Sequence, residues 1–135
     1  MSDITKRLDL MNVEKYDIKK DVWSRVPSLN EERMNHSSCV LDDKLIYTFC
    51  GYNSSNLAIS SIECFKALEY LKGKRKEKWV EVELKSKLKI PARLDPIVCP
   101  LSETEIAVLG GFSSGKLSDG YILDTKSGVV KKQFD

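Results

Sequence analysis

Leu45–Tyr52 reads LIYTFCGY, and sixty residues later Glu105–Phe112 reads EIAVLGGF. Each stretch is an apolar run that ends in a small residue, a glycine and an aromatic residue. An arginine precedes each run at the same distance, Arg33 in the first copy and Arg93 in the second. Recurrence at this period is typical of chains built from similar modules that bury one another's faces. The repeat therefore favours a stack of modules over an enzyme with a single pocket.

The composition is that of an ordinary globular protein. The 135 residues are 41% hydrophobic and 31% charged, with a formal net charge of +2 at pH 7. This balance predicts no overall attraction to nucleic acid or to an anionic membrane. No apolar run approaches the roughly twenty residues that cross a bilayer, and the polar N-terminus does not resemble a secretory signal. We expect neither a nucleic-acid nor a membrane partner.

The cysteines predict a reducing compartment. No two of the four form a close pair, and most lie in apolar runs, where a free thiol behaves as a small hydrophobe. This pattern favours reduced thiols in a cytoplasmic protein over a disulfide framework. The four are Cys39, Cys50, Cys64 and Cys99.

One kind of hairpin recurs at the sixty-residue spacing. It joins residues 37–41 to 45–50, and residues 97–101 to 105–110, across short polar turns. Pro100 cannot donate a hydrogen bond to a strand ladder, so its strand should lie at a sheet edge or contain a bulge.

A second kind of hairpin also recurs. It joins residues 13–17 to 21–26 and, near the C-terminus, residues 121–124 to 129–130. The middle version joins 61–65 to 78–84, where apolar and polar residues alternate as in a strand. Its turn is lengthened by an insertion, residues 66–77, in which we expect a short helix. Ile62–Leu71 also has near-helical spacing, although its start matches a strand position.

These features resemble the Kelch repeat. A glycine pair, Gly110-Gly111, ends a strand, and six residues separate Tyr16 from Trp23. Arg33 and Arg93 match the arginine that often precedes the first strand of that repeat. The resemblance covers about residues 13–134. It departs from the family where Cys50-Gly51 replaces a glycine pair, where thirteen residues separate Phe65 from Trp79, and where Leu123 and Val130 replace the aromatic residues.

The resemblance implies an all-β fold. We expect consecutive four-stranded antiparallel sheets, packed as blades of an incomplete Kelch-type β-propeller. After an N-terminal segment, 1–12, we expect a half blade over 13–27, a blade over 33–84 and a second blade over 93–134. Propellers have about four to eight blades, so two and a half cannot close a ring. We expect either a fragment of a longer chain or outer faces that meet a partner; the alternative fold is a generic antiparallel sheet protein.

Chemical motifs are weak. Gly110–Lys116 matches the start of a phosphate-binding loop, but Leu117 stands where Ser or Thr would ligate magnesium. The single histidine, His36, leads into a strand, and the thiols are too dispersed for a zinc site. We expect no catalysis, cofactor or metal. The basic run Lys72–Lys78 is either a nuclear-import signal, a nucleic-acid patch or a solvated insertion. No aromatic residue lies within it to stack on bases, which favours the last.

The resemblance predicts a protein-interaction module that binds its partner through loops at the blade ends. The candidate partner-binding residues are Arg33, Tyr52, Asn53, Arg93, Phe112 and Ser113. Structural roles are the alternatives: bonds to nearby carbonyls for the arginines, and packing between blades for Tyr52 and Phe112. Open blade faces would also allow self-association. The alternative functions are a fragment of a Kelch-like propeller enzyme, of the oxidase or epimerase class, and a truncated product without an independent role.

Overall fold

The structure is a computed structural model, and it describes residues 10–135. Residues 1–9 of the predicted N-terminal segment lie outside the described residues. The fold is all-β and antiparallel, which confirms the predicted class. Its strands form one sheet of two strands and two sheets of four.

The first sheet is a hairpin. It pairs β1, Val13–Asp17, with β2, Val22–Val26. The turn between them is polar, and the Asp17 carboxylate accepts hydrogen bonds from the backbone N–H groups of Lys19 and Lys20 at 3.0 and 3.1 Å. This side-chain contact stabilises the tight reversal.

The second sheet has the order β3-β4-β5-β6. Its strands are β3, Ser37–Leu41, β4, Leu45–Phe49, β5, Ile62–Phe65, and β6, Val80–Glu81. The predicted helix in the insertion is present as α1, Ala67–Leu71, directly after β5.

The third sheet repeats this plan, with the order β10-β9-β8-β7. Its strands are β7, Ile97–Pro100, β8, Glu105–Phe112, β9, Lys116–Asp124, and β10, Val129–Phe134. The strand that contains Pro100 lies at the sheet edge, as its missing N–H donor predicts.

The strand predicted over residues 78–84 is much shorter in the structure. Only Val80 and Glu81 pair with β5 as a ladder. Beyond them the chain turns towards the third sheet, where Val82, Leu84 and Leu88 pack against buried residues of both four-stranded sheets. The backbone N–H of Val82 still donates to the Ile62 carbonyl at 2.7 Å, and that of Lys85 donates to the Gly128 carbonyl at 2.8 Å, so the chain passes from the second sheet to the third over residues 82–85.

The three sheets are stacked in chain order. The larger core lies between the second and third sheets and includes Tyr47 and Phe49 from one and Ile106 and Val108 from the other. A smaller core joins the hairpin to the second sheet, where Val13 packs against Phe65 and Trp79. Each core buries apolar side chains that a single sheet would leave in water, so the contacts between sheets hold the fold together.

The four cysteines are free thiols, as predicted. Cys50 is buried and Cys99 is exposed on the edge strand β7. Burial raises the pKa of Cys50 to about 11, so this thiol stays protonated at neutral pH. Within residues 10–135, no helix is long and apolar enough to cross a membrane.

Candidate functional site

The two predicted arginines lie inside the protein. Arg33 and Arg93 stand a few residues before β3 and β7, and only 2% and 1% of their surfaces are exposed. A guanidinium group stays charged at any physiological pH, so its burial requires partners for its charge and its N–H groups. The Nη atoms of both arginines find such partners on two neighbouring strands or directly beside them, whereas Nε of Arg33 is buried with no hydrogen-bond partner among the described residues.

Arg33 joins the end of β4 to the start of β5. Its Nη1 donates to the carbonyls of Cys50 and Ser61 at 2.9 and 3.0 Å. Its Nη2 donates to the Ser61 hydroxyl at 2.8 Å and to Glu63 Oε2 at 2.9 Å. The Arg33 and Glu63 side chains are almost wholly inaccessible to water, so this is a buried ion pair.

Glu63 uses its second oxygen to fix the loop that follows the hairpin. Its Oε1 accepts bonds from the backbone N–H and the side-chain amide of Asn30, at 2.7 and 2.9 Å. The same amide donates to the carbonyl of Trp79 at 2.7 Å. The ion pair therefore connects the loop before β3 to both β5 and the approach to β6.

Arg93 repeats the arrangement in the third sheet with a different acid. Its Nη1 donates to the Gly110 carbonyl at 3.0 Å, as Arg33 does to Cys50. Two parallel bonds of 2.8 and 2.9 Å join it to the Asp119 carboxylate. Tyr121 donates its hydroxyl to the same carboxylate at 2.7 Å. Bidentate pairing of this kind is strong and directional.

These contacts change the acidity of the Asp119 carboxyl. The bonds from Arg93, with a smaller contribution from Tyr121, lower the pKa of Asp119 from 3.8 to about 2. The carboxylate therefore stays ionised well into the acid range, and the ion pair persists there.

We expect acid to weaken this pair between about pH 4 and pH 2. Because folding lowers the pKa of Asp119, its ionised form stabilises the fold above its ordinary pKa, and this contribution is lost as pH falls towards the folded value. Asp119→Asn, a mimic of the protonated acid, should therefore unfold about 1–2 kcal/mol more easily at neutral pH, a figure reduced for partial exposure to solvent.

Denaturant unfolding of the wild type and Asp119→Asn at several pH values measures this contribution. Other carboxyl groups titrate in both proteins, so they cancel in the difference. The two stabilities should converge as pH approaches about 2. A difference that does not change with pH would contradict the assignment.

The repeated glycines are required by a close approach of two backbone segments. Gly51 and Gly111 have φ angles of +96° and +105°. A Cβ on Gly51 would lie 2.6 Å from the carbonyl oxygen of Met34, and one on Gly111 would lie 2.4 Å from that of Leu94. Neither position has room for a side chain, so both the conformation and the contact demand glycine.

The aromatic residue after each glycine is fixed by the same approach. Tyr52 and Met34 exchange two backbone hydrogen bonds of 2.9 Å, and Phe112 and Leu94 exchange two of 2.9 and 2.8 Å. The sixty-residue spacing of the sequence is thus reproduced in these backbone contacts. Because these bonds hold the backbone, the loops that follow start from the same position in each sheet.

An open groove of about 460 Å³ lies between these two loops. Of the side chains that form it, Leu57 and Phe112 are 62% and 47% exposed. Among the described residues that line the groove, none is charged. The principal lining residues are Tyr52, Leu57, Ala58, Leu94, Phe112 and Ser113.

The structure thus separates the six predicted residues. It brings Tyr52, Phe112 and Ser113 together at the groove. The side chains of Arg33 and Arg93 are engaged inside the protein with carbonyls and carboxylates, which matches the structural alternative. Asn53 organises its own loop, because its side-chain oxygen accepts bonds from the backbone N–H groups of residues 55 and 57 at 3.0 and 3.2 Å.

Three residues of the site were not predicted from the sequence. Leu57 is 62% exposed at the groove; it lies at the end of the loop 52–57 that was expected to bind a partner, but it was not among the residues named for that role. Glu63 and Asp119 are not sixty residues apart, and they do not occupy the same place in their sheets. Glu63 pairs with Thr48 in the ladder, whereas Tyr121 pairs with Val108, the counterpart of Thr48. Asp119 lies two residues before Tyr121 in the chain. The sixty-residue repeat therefore does not identify either acid as the partner of an arginine.

The phosphate-loop-like segment and the basic run both lie in surface turns of the fold. The segment Gly110–Lys116 forms the tip of the β8–β9 hairpin. In the basic run, Lys74 pairs with Glu69 at 2.6 Å, and the Arg75 guanidinium lies 4.5 Å from the centre of the Tyr70 ring. Within the described part of the chain, no three His, Cys, Asp or Glu side chains are grouped so as to hold a metal.

No family model matches the chain, and no curated protein matches it.

Proposed function

We propose that this protein is a non-catalytic protein-interaction module that binds a partner through the groove between the loops after β4 and β8. The observation that carries the proposal is the groove itself. Two loops at equivalent positions in neighbouring sheets converge there and expose apolar side chains that the fold does not need for its own core. Rigid sheets commonly present binding residues on such loops.

We further propose that the sheets are consecutive blades of a Kelch-type β-propeller. Three features support this architecture: the strand order of the two four-stranded sheets, their stacking in chain order, and the equivalent contacts of Arg33 and Arg93. On this proposal the groove lies at one end of two adjacent blades. Free thiols favour a cytoplasmic location.

The groove is suited to an uncharged segment of another protein. An apolar or aromatic side chain of the partner would pack between Leu57 and Phe112, both of which are exposed. The Ser113 and Asn56 side chains lie at the same groove and can donate to or accept from a peptide backbone. Since no charged side chain lines it, a strongly charged segment would lose hydration without gaining an ion pair.

Selection of random peptides displayed on phage tests this proposal. We expect uncharged peptides with an apolar or aromatic anchor to be enriched on the wild type. Leu57→Arg, which places a charge in the groove, and Phe112→Ser, which removes an apolar wall, should each weaken binding of a selected peptide by about tenfold or more.

Val40→Lys is the matched control. Val40 is exposed like Leu57 but lies on β3, away from the groove. Peptide affinity should be unchanged by this substitution, and thermal unfolding of all three variants checks that they fold. If no peptide is enriched, or if the peptides bind the groove variants as well as the wild type, the proposal is wrong.

A further inference from the structure

One register position is occupied by a side-chain pair in each of the three sheets. In the second sheet the pair is Phe65 and Trp79, with ring centres 5.2 Å apart. In the third sheet it is Leu123 and Val130, which are paired in the ladder. Both pairs are buried by the preceding sheet of the stack.

The corresponding pair of the hairpin is uncovered. Tyr16 and Trp23 are partners in the β1–β2 ladder, and their ring centres lie 5.0 Å apart. They are 41% and 64% exposed. The Tyr16 hydroxyl donates to the Asp21 carboxylate, which holds its ring in place beside the indole. We call the side of the hairpin that carries Glu14, Tyr16, Trp23 and Arg25 the hairpin face.

The chain itself shows what covers such a pair. Leu123 and Val130 pack in the same core as Tyr47 and Phe49 of the second sheet. The counterparts of Tyr47 and Phe49 in the third sheet are Ala107 and Leu109. Side chains alternate between the two sides of a strand, so these residues point away from the core that contains Ile106 and Val108.

Within residues 10–135, the third sheet therefore has no sheet packed on the side that is equivalent to the covering side of the second sheet. We call this side the distal face, and its ladder positions are Ile97, Cys99, Ala107, Leu109, Ile122, Lys132 and Phe134. On this face the Leu109 and Phe134 side chains occupy the space beside Gly120. A Cβ at residue 120 would lie 2.6 Å from the Leu109 side chain and 3.0 Å from that of Phe134. Ile97 and Leu109 are both exposed.

We propose that this protein self-associates head to tail, with the distal face of one copy covering the hairpin face of the next. The contact would repeat between copies the packing that the second and third sheets make within one copy. Glu14 and Arg25 are ladder partners on the hairpin face, so their charges offset each other there. This interface is separate from the groove and goes beyond the proposed function.

A head-to-tail contact uses two different surfaces, so each copy keeps one free end and further copies can add. Sedimentation velocity on the 135-residue chain should therefore show species that grow with concentration beyond the dimer. Trp23→Arg blocks the hairpin face and Ile97→Arg blocks the distal face. Each variant alone should be a monomer, with the association constant lowered by about tenfold or more.

Mixing the two variants gives the deciding result. The Trp23→Arg chain keeps its distal face and the Ile97→Arg chain keeps its hairpin face, so an equimolar mixture should form a dimer and nothing larger. Val80→Arg, an exposed position outside both faces, should associate like the wild type. If circular dichroism shows that an arginine variant does not fold, Trp23→Ser and Ile97→Ser replace it.

Two outcomes would overturn the proposal. One is a wild-type chain that stays monomeric at every concentration tested. The other is a mixture of the two variants that stays monomeric while the wild type forms a dimer, because that pattern belongs to a symmetric contact between identical surfaces.

Discussion

Replacing Arg33 with methionine is expected to lower the free energy of unfolding by about 3–5 kcal/mol. The substitution preserves an unbranched apolar stem but removes every donor that reaches the Glu63 carboxylate from Arg33. Glu63 is then left buried and charged without its cation, and it must be desolvated unpaired or take up a proton. The Cys50 carbonyl loses its Arg33 donor as well, and the Ser61 carbonyl keeps the backbone N–H of Cys50 at 3.1 Å.

Chemical denaturation followed by tryptophan fluorescence measures this loss. Arg75→Met is the matched control, because Arg75 is an exposed arginine on the loop after α1 that loses only its contact with the Tyr70 ring, and its removal should cost about 1 kcal/mol or less. In the double variant Arg33→Met/Glu63→Leu, no unpaired acid remains, so part of the stability should return. A loss below about 1 kcal/mol for Arg33→Met would mean that the ion pair is not structural.

The parts of the fold that could be predicted are those set by local chemistry. Gly51 and Gly111 mark the same backbone approach in two sheets, because only glycine fits where a carbonyl oxygen lies within 2.6 Å of the Cβ position. Pro100 marks an edge strand because it lacks an N–H donor. Each of these requirements concerns the backbone of a single residue, so the residue type alone indicates the local structure.

The parts that could not be predicted depend on distant contacts. The acids that pair with Arg33 and Arg93 come from different register positions, and the guanidinium groups reach both because their stems are long and flexible. Alternation over residues 78–84 predicted a long strand, yet only Val80 and Glu81 form ladder pairs, and Val82 and Leu84 pack in the core between two sheets. The groove is likewise formed by two loops that are distant in sequence, those after β4 and β8, and Leu57 is exposed there.

Trp79→Ala is expected to destabilise the fold by about 3–5 kcal/mol, as large truncations in a core do. Trp79 is only 6% exposed and packs against Phe65 between the second sheet and the hairpin. Its indole N–H donates to the Pro27 carbonyl at 2.9 Å, so the substitution opens a cavity and also leaves an acceptor unpaired. Denaturant unfolding, followed by circular dichroism because a fluorophore is lost, gives the free energy.

Trp23→Ala is the matched control, since both tryptophans occupy the same register position of the repeated sheet. Trp23 is 64% exposed, and no sheet among the described residues packs on the hairpin face within one copy. Its removal should therefore cost about 1 kcal/mol or less when the chain is dilute enough to be monomeric. If the two substitutions cost the same, burial between stacked sheets would not be what distinguishes these positions. A large loss for Trp79→Ala alone would show that contacts between sheets, rather than the hairpins themselves, supply most of the stability at this position.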